Sequence, residues 1–249
     1  RAIAERLSVP HVVSCANGTD AIALGLRALG VGPGDCVAIP NLTFWATYEA
    51  VAAVGAAALL IDTDVDGQLD LDQLQAARAE HDVDAVVLVH LFGWCSSRLA
   101  AIRDYCASEA IPLLEDGAQA FGVETERTRV AAFGVEVGNS VFAKATVGTI
   151  SFYPSKVLGG AGDGGAITCQ SEAIANDLRS LRNHGRTAVM YEHDRVGMNS
   201  RMGSMQASYL LRAIAASDMV LADRRKTGEF YCDTLNGKRG IVIHMPPPG

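Results

Sequence analysis

The sequence has 249 residues, 49% hydrophobic and 20% charged, which suits one large globular domain, or one domain with part of another, around a substantial core. A net charge of −7, with no cluster of Lys and Arg beyond "DRRK" at 223–226, leaves nucleic-acid binding without support. The longest uncharged apolar run, "AVAAVGAAALLI" at 50–61, is too short to span a bilayer.

The opening "RAIAERLSVP" lacks Met, reads as the middle of a helix and shows no signal-peptide pattern. Short apolar runs then alternate with helical patterns. "HVVSC" (11–15) reads as a strand and "GTDAIALGLRALG" (18–30) as an amphipathic helix that Gly30 caps. "CVAIP" (36–40) and "FWATYEAVAAVG" (44–55) repeat that strand–helix unit, as do "AALLID" (57–62) and "LDLDQLQAARAEH" (69–81). "DAVVLVHLFG" (84–93), "SRLAAIRDYCASEA" (97–110) and "IPLLED" (111–116) continue it. Strands this uniformly apolar are buried on both faces, so a mostly parallel, doubly wound α/β sheet with helices on both sides is expected.

The rhythm changes after residue 120. Residues 123–148 read as an irregular β-rich excursion with little helical signal, followed by the strand "TISFY" (149–153). "GAITC" (165–169) is the next strand and 171–185 a helix. A long helix is expected over about 203–235, interrupted at Gly228. "GIVIH" (240–244) reads as the first strand of something further, before an apparent linker, "MPPPG". A piece of a longer protein is therefore expected. The six cysteines (15, 36, 95, 106, 169, 232) are scattered without a C-x-x-C pair, which fits reduced thiols and a cytoplasmic location rather than disulfides or zinc.

Ligands of doubly wound sheets bind beyond the carboxyl ends of the strands. The first such end carries Asn17, Gly18, Thr19 and Asp20, and a glycine and hydroxyl at a helix start can seat an anion. The same residues can equally be an ordinary N-cap built on Asn17 or Thr19. There is no G-x-x-x-x-G-K-[ST] loop and no G-x-G-x-x-G, so an NAD-linked Rossmann enzyme lacks its fingerprint. The second end carries Phe44 and Trp45, either a stacking surface for a flat ring or core aromatics. The third carries Glu115, Asp116 and Gln119; a buried carboxylate there needs a cationic partner, or else caps a helix. The fourth is "SFYPSK" (151–156), where Lys156 is either a reactive amine or a surface lysine. Taken together, a phosphate seat, a flat aromatic, a carboxylate and an amine make the set that pyridoxal 5′-phosphate requires. His90, His184 and His193 read as structural residues and Asp163 as a turn residue.

With "CANGTDAI", "PNLTFWAT", "LLEDGAQAFG", "SFYPSK…GDGGAI", "LRNHG" and "VGMNSRM" in order, the sequence resembles the DegT/DnrJ/EryC1/StrS family of sugar-nucleotide aminotransferases from about residue 1 to 225. The resemblance implies pyridoxal-phosphate fold type I, with a seven-strand-type sheet like the large domain of aspartate aminotransferase. It implies a cofactor-binding large domain at 1–225, with 226–249 a linker and the beginning of a small C-terminal domain. It also assigns roles. Lys156 would bond the cofactor aldehyde and shuttle the proton; Asp116 would pair with the pyridine nitrogen; Gln119 would approach the phenolic oxygen. Gly18, Thr19 and Ser151 would hold the phosphate and Phe44 would stack, leaving Trp45 to packing. Asn199 would reach the partner's cofactor across a homodimer with shared active sites, and Arg201 would line that edge near substrate. A lysine at 156, where related 3-dehydratases carry histidine, implies transamination, from glutamate to a nucleotide-linked keto-sugar. Relatives also handle amino-cyclitol precursors, so a keto-inositol substrate stays open. So does a non-catalytic binding or regulatory homologue, although a degenerate copy would be expected to lose some of these residues. The 123–150 segment is longer than the family's usual hairpin.

Overall fold

A computed structural model describes residues 1–130, 135–238 and 240–244. Helix α1 (Ala2–Leu7) leads into β1 (His11–Cys15), and the repeating units follow: α2 (Gly18–Ala28), β2 (Cys36–Pro40), α3 (Trp45–Ala53), β3 (Ala57–Ile61), α4 (Leu71–Glu80), β4 (Ala85–Val89), α5 (Leu99–Ser108) and β5 (Leu113–Asp116). Strands β6 (Glu124–Val130) and β7 (Val135–Ser140) precede β8 (Val147–Ser151) and β9 (Gly165–Cys169). Helices α6 (Glu172–Leu181), α7 (Ser204–Ala215) and α8 (Ser217–Leu235) complete the described elements.

Seven strands form one sheet in the order β1-β9-β8-β5-β4-β2-β3. Strands β8, β5, β4, β2 and β3 are mutually parallel, while β9 is antiparallel to both its neighbours, β8 and β1. Only β9 therefore runs against the rest, and the expected mostly parallel α/β sheet is what forms.

Side chains of a strand alternate between faces, so the continuous apolar runs feed two cores at once. Val37, Ile39, Ala85, Val87 and Val89 join one core with the apolar residues of α2, α3 and α6. Ala38, Val86 and Leu88 join the other with Leu7, Leu71, Leu74, Leu99, Ile102 and Leu210 from α1, α4, α5 and α7. This three-layer packing is why β4, β8 and β9 are buried at every position. Among the described residues, no helix is long and apolar enough to cross a membrane.

The 123–148 excursion is the antiparallel hairpin β6–β7, with a register irregularity between Thr125 and Thr128, followed by a 3₁₀ turn at Val141–Lys144. Two expectations are corrected. The long C-terminal helix breaks at Ala216, where φ is −95° and ψ is 0°, and not at Gly228, which lies within α8. A single exposed glycine costs a helix about 1 kcal/mol, and the turns on either side carry it. Residues 241–244 form no strand, because Ile241 turns back to bond the Lys238 carbonyl and meets no sheet edge. Residues 225 and 226 lie within α8. The "MPPPG" linker at 245–249 lies outside the described residues.

Candidate active site

The carboxyl ends of the parallel strands open into a cavity of about 390 Å³. Gly18, Thr19, Phe44, Asp116, Gln119, Ser151 and Lys156 all line it, so seven of the nine sequence-named residues converge there.

The anion seat is built by close approach of α2 to β8. Asn17 caps α2 by accepting the Asp20 N–H at 2.7 Å, which leaves the first amides of the helix unused by its own ladder. A Cβ at Gly18 would lie 2.8 Å from Ser151 Cβ and 3.0 Å from its hydroxyl oxygen, so only glycine lets the helix start meet the strand end. The start of α2, with the positive end of its dipole, therefore lies against Ser151, whose hydroxyl oxygen accepts the Tyr153 N–H at 3.3 Å. Asn17 caps α2, as the N-cap reading has it, and Gly18 lines the cavity, where an anion seat would have to lie.

Asp116 ends β5 and is 6% exposed. Its Oδ1 accepts the Ala118 N–H at 3.0 Å and the Thr149 hydroxyl at 3.1 Å. Its Oδ2 has no protein partner among the described residues. Burial pushes this carboxyl above the usual range, opposed by those two bonds and by His90 and Lys156. Gln119 is fixed because its Oε1 accepts the Phe92 N–H at 2.7 Å. That contact holds Phe92 at φ 62°, a left-handed conformation costing a non-glycine residue about 1 kcal/mol.

Lys156 follows the proline stop, its N–H bonding the Tyr153 carbonyl at 2.8 Å. Its Nζ stands 5.9 Å from the centre of the Phe44 ring. Phe44 is 71% exposed at the head of α3 and so presents a ring face to the cavity mouth. Trp45 turns away, stacking on Tyr48 at 4.9 Å between centroids.

The glycine run after Lys156 has a mechanical reason. A Cβ at Gly159 would meet the Pro154 carbonyl at 2.3 Å, and one at Gly160 would meet the Gln206 amide at 1.9 Å. The loop folds back so tightly that Asp163, read from sequence as a turn residue, also lines the cavity. The cause is a pairing the sequence does not show: β8 runs antiparallel to β9 with Ser151 opposite Gly165, and the loop between them carries Asp163. His90 also lines the cavity, in addition to the buried hydrogen-bonded role expected of it.

Asn199 and Arg201 lie outside this cavity. Asn199 is exposed and its backbone bridges Asn183; exposed Arg201 donates to the Asn183 side chain at 3.0 Å. Ser200 between them is fully buried, accepting the Ala16 N–H at 3.0 Å and donating to Asp20 at 2.6 Å. The segment is thereby pinned to the helix end that carries Gly18.

Known proteins resemble the chain in sequence and fold. The sequence matches the DegT/DnrJ/EryC1/StrS aminotransferase family over residues 1–249. The UDP-2-acetamido-2-deoxy-3-oxo-D-glucuronate aminotransferase of Pseudomonas aeruginosa is 37% identical over 230 residues, which are 92% of this chain and 60% of that protein. The dTDP-3-amino-3,4,6-trideoxy-alpha-D-glucose transaminase of Streptomyces venezuelae is 36% identical over 239 residues, 96% of this chain and 59% of that one. The solved structure of DesV from S. venezuelae superposes with a TM-score of 0.86 at 34% identity, covering 98% of this chain and 63% of that one. The chain thus spans about 60% of the length of the relatives it matches. A match along its full length, with the same sheet underneath, means that the chain belongs to the DegT/DnrJ/EryC1/StrS aminotransferase family.

Proposed function

We propose that this chain is the cofactor-binding part of a pyridoxal-phosphate aminotransferase that acts on a nucleotide-linked 3-keto-sugar. The observation that carries the reading is the single cavity in which Lys156, Asp116, Phe44 and the Gly18–Ser151 anion seat meet. The residues fit the group. The seat offers unused amides and a hydroxyl to a phosphate, Asp116 Oδ2 offers a free acceptor to a protonated ring nitrogen, and Phe44 offers a ring face. Family membership and the "3-oxo" and "3-amino" in the two relatives' names support the substrate class and carbon 3. Glutamate as donor, a homodimer completing the site through Asn199 and Arg201, and a cytoplasmic setting belong to the same reading.

When bound, pyridoxal phosphate supplies an aldehyde that takes up an amine and a ring that accepts an electron pair. The chain does the rest. Gly18, Thr19 and Ser151 hold the phosphate, and Phe44 covers one ring face. Asp116 keeps the ring nitrogen protonated through Oδ2, and Gln119 stands at the ring's edge. Lys156 Nζ would take the proton from the amino donor's nitrogen-bearing carbon and hold it for delivery to the carbon on the other side of that nitrogen. Phe44, beside that amine, limits water at the proton-transfer step.

Incubating the full-length protein with glutamate and a panel of 3-keto and 4-keto nucleotide sugars tests the reading. An amino sugar from a 3-keto member is expected; product from 4-keto members alone refutes the carbon assignment, and none from any member refutes the function. The anion seat has its own test. Gly18→Ala puts a methyl group into Ser151, so pyridoxal-phosphate affinity, read by absorbance titration, is expected to fall about tenfold or more. Unchanged affinity would mean that the phosphate sits elsewhere.

A further inference from the structure

Gly18 and Thr19, the two residues of the anion seat on α2, lie between two residues that one side chain holds. The Ser200 hydroxyl accepts the Ala16 N–H at 3.0 Å and donates to Asp20 Oδ2 at 2.6 Å. Ala16 precedes the Asn17 cap and Asp20 lies in the first turn of α2, so a single oxygen brackets residues 17–19. Ser200 is fully buried and firmly based. Its own N–H donates to the Arg182 carbonyl at 2.9 Å, and Arg182 donates to the Ser14 hydroxyl on β1 at 2.9 Å.

The remaining contacts of this turn are of a different kind. A Cβ at Gly18 would lie 2.8 Å from Ser151 Cβ, and one at Gly165 would lie 2.2 Å from the Asn17 carbonyl. Such packing limits how near the chains come, whereas a hydrogen bond also prefers an angle. The Asn17 cap supplies one hydrogen bond from inside the turn, to the Asp20 N–H at 2.7 Å. Among the described residues, Ser200 is the one side chain from outside 15–20 that hydrogen-bonds this turn. Resting on the proposed function above, we propose that Ser200 is a positioning residue for the cofactor phosphate: its hydroxyl holds the start of α2 in the orientation that turns the helix's first amides toward the anion.

Pyridoxal, which lacks the phosphate, separates this role from a general weakening of the fold. In the full-length protein, Ser200→Ala is expected to bind pyridoxal phosphate about tenfold more weakly and pyridoxal within about threefold of wild type. A serine that only supports the fold would weaken both ligands alike. Asp20→Ala removes one of the two bonds, and its loss is expected to fall between wild type and Ser200→Ala. The double variant Ser200→Ala/Asp20→Ala is expected to bind within about twofold of Ser200→Ala, because the contact to Asp20 has already gone.

Ser200→Ala leaves the Ala16 N–H without its acceptor and could lower stability, so the wild-type protein supplies a measurement without substitution. A clamp that favours phosphate binding must be favoured by phosphate to the same degree. Hydrogen exchange at the Ala16 amide is therefore expected to slow about tenfold on adding pyridoxal phosphate and to stay within about threefold on adding pyridoxal. A wild type that takes up no pyridoxal phosphate overturns both this inference and the function it rests on. A wild type that loads normally overturns the inference alone in any of four cases: Ser200→Ala weakens both ligands equally, it weakens neither, the double variant loses the product of the single losses, or the Ala16 amide exchanges at the same rate with either ligand.

Discussion

Lys156→Ala in the full-length protein will lose amino transfer by at least about a thousandfold and will show no visible band that borohydride can fix. The size of the effect follows from position. Among the described residues lining the cavity, Lys156 is the one lysine, so no second amine can take over its bond or its proton. Its backbone N–H bonds Tyr153, and among the described residues its side chain meets only the Phe44 ring 5.9 Å away and the charge of Asp116. The substitution should therefore shift stability by less than about 1 kcal/mol, and melting temperature with activity separates a chemical loss from unfolding. Added methylamine should recover part of the rate, because a free amine can enter the space the side chain leaves. Activity retained within tenfold of wild type would place the chemistry on another residue.

Much of this site was legible because its residues sit where strands end. Apolar runs such as "AVVLV" mark buried strands by themselves, and the polar residue after each run must then lie at the carboxyl edge. Asp116 and Lys156 were found in that way, and His90 was placed at a strand end by the same reasoning. What sequence did not show was direction and pairing. Nothing in "GAITC" says that it runs against β8, and without that pairing Asp163 cannot be placed at the cavity. The buried Arg103–Glu115–His90 cluster was invisible for a related reason: it depends on α5 bringing Arg103 against the Glu115 carboxylate.

The helix errors have a different origin. The break was expected at Gly228 on intrinsic propensity, which disfavours glycine inside a helix. The observed break is set by geometry: α7 packs Leu210 into a core, whereas the only buried residue of α8 is Ser217, at its start. Propensity costs of about 1 kcal/mol are overridden wherever the turns on either side can continue. Asn199 and Arg201 illustrate a further limit. Their assigned roles need a second chain, and one chain fixes only their anchorage, through Ser200 to Asp20 and Ala16.

Asp116→Asn will leave the cavity nearly the same shape and still cost at least about a hundredfold in amino transfer. The asparagine oxygen can accept the Ala118 and Thr149 bonds that Oδ1 now takes. Its amide then presents N–H to the ring nitrogen where wild type presents a carboxylate, so the ring is left unprotonated and weak as an electron sink. Stability should move the other way. Burial raises the Asp116 pKa above 3.8, so the folded chain binds this proton more tightly than the unfolded chain. That contribution is fully present below about 3.8 and is lost as pH rises through the raised folded value. Without cofactor, the variant should therefore melt at a temperature close to wild type in acid and above it near neutral pH. With pyridoxal phosphate added the order should reverse, because a cationic ring nitrogen stabilises the wild-type carboxylate and offers the amide nothing comparable. A cofactor-free variant no more stable than wild type at neutral pH would show that Asp116 is already paired inside the protein. In that case the ring nitrogen has lost its place in the site, since the carboxylate that should receive it is charged and satisfied before any ligand arrives.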